Sequence, residues 1–408
     1  MALIVQKYGG TSVADGEKIK KVAERVISCK KQGNEVAVVL SAMTGETNRL
    51  IDLALEIQSR PDARELDVLM TTGEQVTVSL LAMATKARGV GAVSFLAHQI
   101  PIKTDAVHGT ARIEEITTAR LRAVLDAGHI PVVAGFQGVS PGGDITTLGR
   151  GGSDTTAVAL AVSLNAEICE IYTDVDGVYT TDPNICAEAR KIERISYEEM
   201  MEMASLGAKV LDIRSVEYAM LYGMPLHVRS SFTDSEGTYV VKEEESMEQI
   251  LVSGVTYSRN EARITITKVP DRPGVAASIF NPISKSNIVV DMIIQNTRAG
   301  DLTDMTFTVP RNDYERALEI VGSLAEKIGA EKVAGDPGIA KVSIIGVGMR
   351  NHAGVASKMF DILARHGINI LMISTSEIKI SCIIQEKYTE LAVRALHEGF
   401  GLDKAPST

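Results

Sequence analysis

Five segments of this 408-residue chain set hydroxyl and charged side chains among glycines, two of them with a cation, and such mixtures hold phosphates and carboxylates. The densest is Thr146-Thr-Leu-Gly-Arg-Gly-Gly-Ser-Asp-Thr-Thr-Ala157. Its glycines let backbone N–H groups close on an anion, Arg150 can take a carboxylate bidentately, and Asp154 can orient cationic groups. Lys7-Tyr-Gly-Gly-Thr-Ser12 adds a point charge and an open backbone for a phosphate. Its spacing is neither the G-x-x-x-x-G-K-[ST] of a phosphate loop nor GxGxxG, and a strand-to-helix turn that merely needs glycine looks the same. Ser41-Ala-Met-Thr-Gly-Glu-Thr-Asn48 suits a polar substrate and equally a helix cap. In Thr71-Thr-Gly-Glu74 the glutamate could bind an ammonium or simply favour the helix dipole. Thr173-Asp-Val-Asp-Gly-Val-Tyr-Thr-Thr-Asp-Pro183 fails the calcium-loop pattern, because Gly177 comes too early and no glutamate closes it. A nucleotide-contacting loop with Asp182 on ribose or base is the better reading.

Other chemistries lack their residues. The histidines form no ligand-spaced pair, no serine sits in a G-x-S-x-G elbow, and Cys29, Cys169, Cys186 and Cys382 are scattered without a CxxC. Reduced thiols fit a cytoplasmic location. A net charge of −10, no tryptophan and only 4% aromatic residues argue against nucleic acid as the main partner. No run of about 18 apolar residues exists, so no membrane span is expected, and the opening Met1–Lys7 is too short for a secretory h-region.

The elements that must position these residues alternate. Strands are expected at Leu3–Gln6, Val36–Leu40, Ala92–Leu96, Ile130–Ala134, Glu170–Thr173 and Pro225–Arg229. Helices are expected over Gly16–Lys31, Asn48–Ile57, Glu65–Ala87, Glu114–Ala127, Thr155–Leu164 and Tyr197–Ala204. Apolar strands between amphipathic helices predict an α/β domain with a largely parallel sheet, whose ligands bind where strand ends meet helix N-termini. The acidic stretch Lys242-Glu-Glu-Glu-Ser246 then interrupts the pattern and marks a boundary.

Beyond it the sequence repeats at an offset of 80. Gly274/Gly354, Val275/Val355, Ala276/Ala356, Phe280/Phe360, Ile288/Ile368, Met292/Met372 and Ile293/Ile373 are identical pairs. Each copy reads as a strand (Arg263–Lys268; Lys341–Val347), a turn, a helix and a second strand (Ile288–Ile294; Ile368–Ser374), which fits two β-α-β-β-α-β units.

KYGGTS, VVLSAMTGETN, TTGEQ, TTLGRGGSDTTA and YTDVDGVYTTDP, in this order, resemble the motifs of aspartate kinase, a member of the amino-acid kinase family, followed by two ACT domains. The resemblance covers essentially the whole chain. It implies a three-layer α/β/α catalytic domain over residues 1–247 and two α+β ferredoxin-like ACT domains over 248–337 and 338–408, with strand 250–257 able to pair with the second. It also implies ATP-dependent phosphorylation of the aspartate side-chain carboxylate, the first step towards lysine, threonine and methionine, with Mg2+ and feedback inhibition by lysine and/or threonine. Lys7, Asp154 and Lys209 are then catalytic. Lys7, Tyr8, Gly9, Gly10, Thr173, Asp174, Tyr179, Asp182 and Lys209 bind ATP. Ser41, Thr47, Glu74, Arg150, Gly151, Gly152, Ser153 and Asp154 bind aspartate. Effectors fall to Asp271, Gly274, Ala276 and Gln295 on the first ACT domain, and to His352, Gly354, Val355, Asn369, Ile370, Ser376 and Glu377 on the second. No protein metal ligand is named. Phosphoryl transfer to a carboxylate needs no general base, since the nucleophile is already ionised, so the missing catalytic histidine is expected.

The resemblance further implies a homo-oligomer, or a hetero-oligomer with a shorter ACT-only subunit started near Met247, held by ACT–ACT pairing. Two alternatives stay open: a kinase for another acid such as glutamate or N-acetylglutamate, which if acylated has no use for Glu74, and a non-catalytic amino-acid sensor. Lys7, Asp154 and Lys209 together speak against the sensor.

Overall fold

The computed structural model describes residues 2–206, 210–244, 250–298 and 301–404. They form two compact units, Met1–Tyr179 with Lys191–Met247 and Thr180–Arg190 with Glu248–Thr408. Among the described residues no helix is long and apolar enough to cross a membrane.

The first unit runs β1 (Leu3–Tyr8), α1 (Gly16–Lys31), β2 (Glu35–Leu40), α2 (Glu46–Ile57), α3 (Ala63–Met70), α4 (Thr72–Lys86), β3 (Ala92–Phe95), β4 (Ile102–Thr104), β5 (Ile113–Ile116) and α5 (Ala119–Asp126). It continues with β6 (Ile130–Ala134), β7 (Gln137–Val139), β8 (Ile145–Thr147), α6 (Gly152–Leu164), β9 (Ile168–Thr173), β10 (Arg194–Ser196), α7 (Tyr197–Ser205), α8 (Ile213–Tyr222), β11 (Leu226–Ser230) and β12 (Thr238–Val241). The main sheet has the order β10-β12-β11-β9-β1-β2-β6-β3. The strands from β11 to β3 are parallel, and β12 joins antiparallel to β11. Val5, Val36 to Leu40, and Val132 to Ala134 are fully buried, as a sheet covered on both faces requires. Apolar residues of α1 and α4 pack with Tyr8, Val38, Val132 and Tyr172 on one face, while α6 packs against β1, β2 and β9.

Two helix expectations need correction. Ile113–Ile116, expected to open a helix over Glu114–Ala127, is strand β5, paired antiparallel with β4; the helix begins only after Thr117 and Thr118. The span Glu65–Ala87 is two helices that meet at Thr71, where the Thr71 amide still donates to Asp67 O at 3.2 Å. A second sheet, β5-β4-β7-β8, was not anticipated. Its strands have three or four residues, too few for a periodic signal.

The second unit is one six-stranded sheet with the order β14-β15-β13-β16-β18-β17, from β13 (Gly254–Pro270), β14 (Ile293–Arg298), β15 (Leu302–Val309), β16 (Lys332–Ile345), β17 (Met372–Thr375) and β18 (Lys379–Gln385). The order is symmetric in equivalent strands because the two copies of the repeat pair through β13 and β16. Helices Val275–Lys285 and Val355–Arg365 both start from a glycine in the left-handed region, Gly274 at φ 92° and Gly354 at φ 95°. Met292 and Met372, equivalent positions, share a small cluster with Ile339 and Ile383. Arg311 donates to Glu386 at 3.0 Å, each opening the short turn before its copy's second helix.

The copies differ in how their sheets close. In the first, residues 332–336 of β16 return to pair with 263–267 of β13. In the second, no strand follows helix Thr389–Gly399 among the described residues, and 254–258 of β13 pair with 341–345 of β16 instead. Segment 180–190 also belongs here. Val255 N donates to Thr180 O at 2.8 Å, Thr180 Oγ1 lies 2.9 Å from His397 Nε2, and Arg190 Nε donates to Leu402 O at 2.9 Å.

Candidate active site

Period two along β1 puts Lys7 and Tyr8 on opposite faces of the sheet. Lys7 faces α6, where its ammonium lies 2.5 Å from Asp154 Oδ1, both side chains only 11% exposed. Tyr8 faces α1, fully buried and stacked on Tyr172 at 4.6 Å. Its ring therefore reaches no ligand, and a part in ATP binding is limited to its backbone. After β1 the chain turns through Gly9 and Gly10. A Cβ on Gly10 would lie 2.8 Å from Ala42 O, so only glycine lets this turn sit against the loop after β2.

A cavity of about 600 Å3 opens at the carboxyl ends of β1 and β2. Lys7, Gly9, Gly10, Ser41, Thr47, Glu74, Arg150, Gly151, Gly152, Ser153 and Asp154 all border it. Gly151 caps α6 at φ 69°, and a side chain there would collide with Asp212. The α6 N-terminus, with its positive dipole end, thus opens on the cavity.

The remaining charges are unlike the Lys7–Asp154 pair. Glu74, held by α4 after the bend at Thr71, is 2% exposed; its Oε1 accepts from Ala42 N at 3.0 Å and its Oε2 has no partner among the described residues. Burial pushes its carboxyl up to about 7. Arg150, exposed on the cavity rim, has no ion pair among the described residues. An unmatched buried carboxylate opposite an unmatched guanidinium invites a ligand carrying both charges.

Thr173 ends β9, beside β1, where Gly9 N donates to Tyr172 O at 3.2 Å, and Asp174 and Tyr179 follow it. They do not border the cavity. Thr173 Oγ1 donates to Asp174 at 3.1 Å, and Tyr179 OH donates to Asp176 at 2.8 Å. Asp182 lies in the second unit, accepting from Tyr257 OH at 2.9 Å and from Asn184 N at 2.9 Å. Lys209 lies outside the described residues, as does Met247.

Of the effector positions, Asp271, Ala276, Gln295, His352, Asn369, Ser376 and Glu377 are exposed. Val355 is 4% exposed within the core of its domain, so only its backbone is open to a ligand; Ile370 packs half-buried on the same core.

Sequence reasoning missed Ile51, Met70, Gly109, Thr110 and Phe136, which also border the cavity. Phe136 carries the backbone at φ 68°, a strained conformation for an aromatic residue that no sequence signal announces.

The amino acid kinase family profile matches residues 2–230, and ACT domain profiles match 263–326 and 342–400. The chain is 60% identical over 404 residues to an aspartate kinase of Pseudomonas putida, covering 99% of this chain and 98% of that one. It is 59% identical over 405 residues to an aspartokinase of Pseudomonas aeruginosa, at 99% and 98% coverage. Among solved structures, E. coli aspartokinase III in complex with aspartate and ADP aligns with a TM-score of 0.80 at 27% identity, over 97% of this chain and 99% of that chain. The same enzyme in complex with lysine and aspartate aligns at 0.79 and 27%, over 98% and 99%. An amino acid kinase unit followed by two ACT domains, matched from end to end at this identity, makes the chain a member of the aspartate kinase family and an enzyme of that class.

Proposed function

We propose that the cavity holds L-aspartate between Glu74 and Arg150, with its side-chain carboxylate turned towards Lys7. Glu74 Oε2 receives the ammonium, Arg150 grips the α-carboxylate, and Ser41 and Thr47 supply hydroxyls. ATP brings its γ-phosphate to Lys7, the Gly9–Gly10 backbone and the α6 N-terminus, with Thr173, Asp174 and Tyr179 nearer the nucleoside and Lys209 a second cation. A carboxylate oxygen of aspartate attacks the γ-phosphorus, the bond to the bridging oxygen breaks, and ADP leaves with that electron pair. The product is a mixed anhydride, 4-phospho-L-aspartate. Two anions must meet, so the protein's contribution is charge neutralisation and alignment.

Among the described residues no three His, Cys, Asp or Glu side chains cluster to hold a metal. Mg2+ carried on ATP oxygens and water would neutralise phosphate charge here.

The observation that carries this reading is the unpartnered Glu74 Oε2 on the same cavity as Lys7 and Arg150. ADP formation should depend on aspartate, with N-acetylaspartate and glutamate poor acceptors. Turnover on glutamate but not aspartate would refute it.

For the second unit we propose binding of lysine and/or threonine at the paired turns Asp271–Gly274 and His352–Gly354, as a lysine complex of an E. coli relative suggests. Self-association through the edge strands β14 and β17 accompanies it. They expose Ile293 at 52% and Ile373 at 41%, apolar side chains on strands with one unpaired edge.

A further inference from the structure

Asp67 lies outside the cavity wall, on α3, with its side chain 1% exposed. A carboxylate so deeply buried is tolerated only when donors surround it. Those donors are specific. Gly109 N and Thr147 N each reach Asp67 Oδ2 at 3.1 Å, Thr147 Oγ1 reaches Oδ1 at 2.5 Å, and His108 Nδ1 lies 2.8 Å from Oδ2. Gly109 and Thr147 both border the cavity, and Arg150 follows Thr147 by one turn of chain. On its own side, Asp67 sits in the helix that bends at Thr71 into α4, which carries Glu74. One side chain thus ties the helix pair bearing the site's anion to the loop bearing its cation.

Arg214 completes the arrangement with opposite chemistry. From α8 it donates to Leu148 O at 2.5 Å and to Ala111 O at 2.9 Å. The same two chain segments therefore give their N–H groups to an acid and their carbonyls to a base.

We propose that Asp67 and Arg214 are positioning residues that fix the separation of Glu74 and Arg150, and so set both affinity for aspartate and its preference over glutamate, which is longer by one methylene. The inference rests on the substrate reading above. A pocket rejects one extra methylene by about 10- to 200-fold only while its walls hold their spacing.

Asp67→Asn keeps the size but replaces one acceptor oxygen by an NH2 that faces N–H groups. We expect KM for aspartate to rise about tenfold, KM for ATP and kcat to stay within about twofold, and the aspartate-to-glutamate ratio of kcat/KM to fall about fivefold. Arg214→Lys, with a point charge for two carbonyls, should move the same two quantities about half as far on a logarithmic scale, and it carries the test alone if Asp67→Asn does not fold. A merely structural role would lower the folded fraction and leave KM for aspartate and the ratio untouched. If Glu74→Gln raises KM for aspartate while the folded Asp67→Asn and Arg214→Lys enzymes do not, this inference fails and the substrate reading stands. If Glu74→Gln leaves that KM unchanged, the substrate reading falls and takes the inference with it.

Discussion

The two ends of the cavity are built on different electrostatic terms. At the proposed phosphoryl end, Lys7 and Asp154 neutralise one another, buried and in contact. At the proposed acceptor end, Glu74 Oε2 and Arg150 have no partner among the described residues, and burial holds the Glu74 carboxyl near pH 7. One end is assembled by folding; in the proposed reading the other is completed by the substrate's own charges. Rate should therefore follow the first end and affinity for aspartate the second. The ends also differ in connection. The acceptor end is made wholly within the first unit, whereas the loop after β9 runs directly into segment 180–190 of the second.

The largest effect expected from breaking this contrast is on rate. Lys7→Met should lower kcat by about 10^3-fold or more, with KM for aspartate within about threefold. It also strands Asp154, so thermal unfolding should detect a loss of about 3 kcal/mol that adding Asp154→Asn largely restores without restoring activity. A fall confined to KM would erase the distinction between the ends. Next, Arg150→Ala should raise KM for aspartate about 100-fold and leave KM for ATP nearly unchanged, read from initial rates with each substrate varied.

The pH dependence is a finer probe. Aspartate's ammonium stays charged in this range, so binding needs Glu74 ionised. As pH falls through about 7, KM for aspartate should rise, approaching tenfold per unit, and Glu74→Gln should give a weak, flat profile. For folding the sign is opposite. A carboxyl raised in the folded state keeps its full stability contribution below the unfolded value and loses it as pH rises through about 7, so Glu74→Gln should raise the substrate-free Tm at pH 8 more than at pH 5. The smallest effect is at the connection: Tyr257→Phe removes the hydroxyl that donates to Asp182. It should shift the half-inhibitory concentration of the effector by about two- to fivefold, with uninhibited kcat within about twofold; no shift would leave segment 180–190 a passive tether.

Much of this was legible in the chain. The alternation of apolar runs and helices announced the parallel sheet, and glycine beside a cation marked two of the segments that border the cavity, those of Lys7 and Arg150. What was hidden depended on partners remote in sequence. Asp67 sits in an amphipathic stretch where an acid ordinarily faces solvent, and nothing local announces that Thr147, 80 positions on, will donate to it. The motif Thr173–Pro183 is contiguous in sequence, and nothing in it announces that the chain changes units at Thr180. Tyr8 is the opposite case, because strand periodicity alone already places its ring on the face away from Lys7.

The strand at 254–258 has a kinetic consequence during synthesis. The first ACT repeat carries every strand it needs and can close as soon as residue 336 leaves the ribosome, whereas its twin must keep 254–258 unpaired until 341–345 emerge. Thr180 waits longer still, because His397 lies 217 positions downstream. The nascent catalytic half is therefore born with one segment unsatisfied, and a slow final docking step, sensitive to destabilisation of helix Thr389–Gly399, should govern how much of the newly made chain matures rather than aggregates.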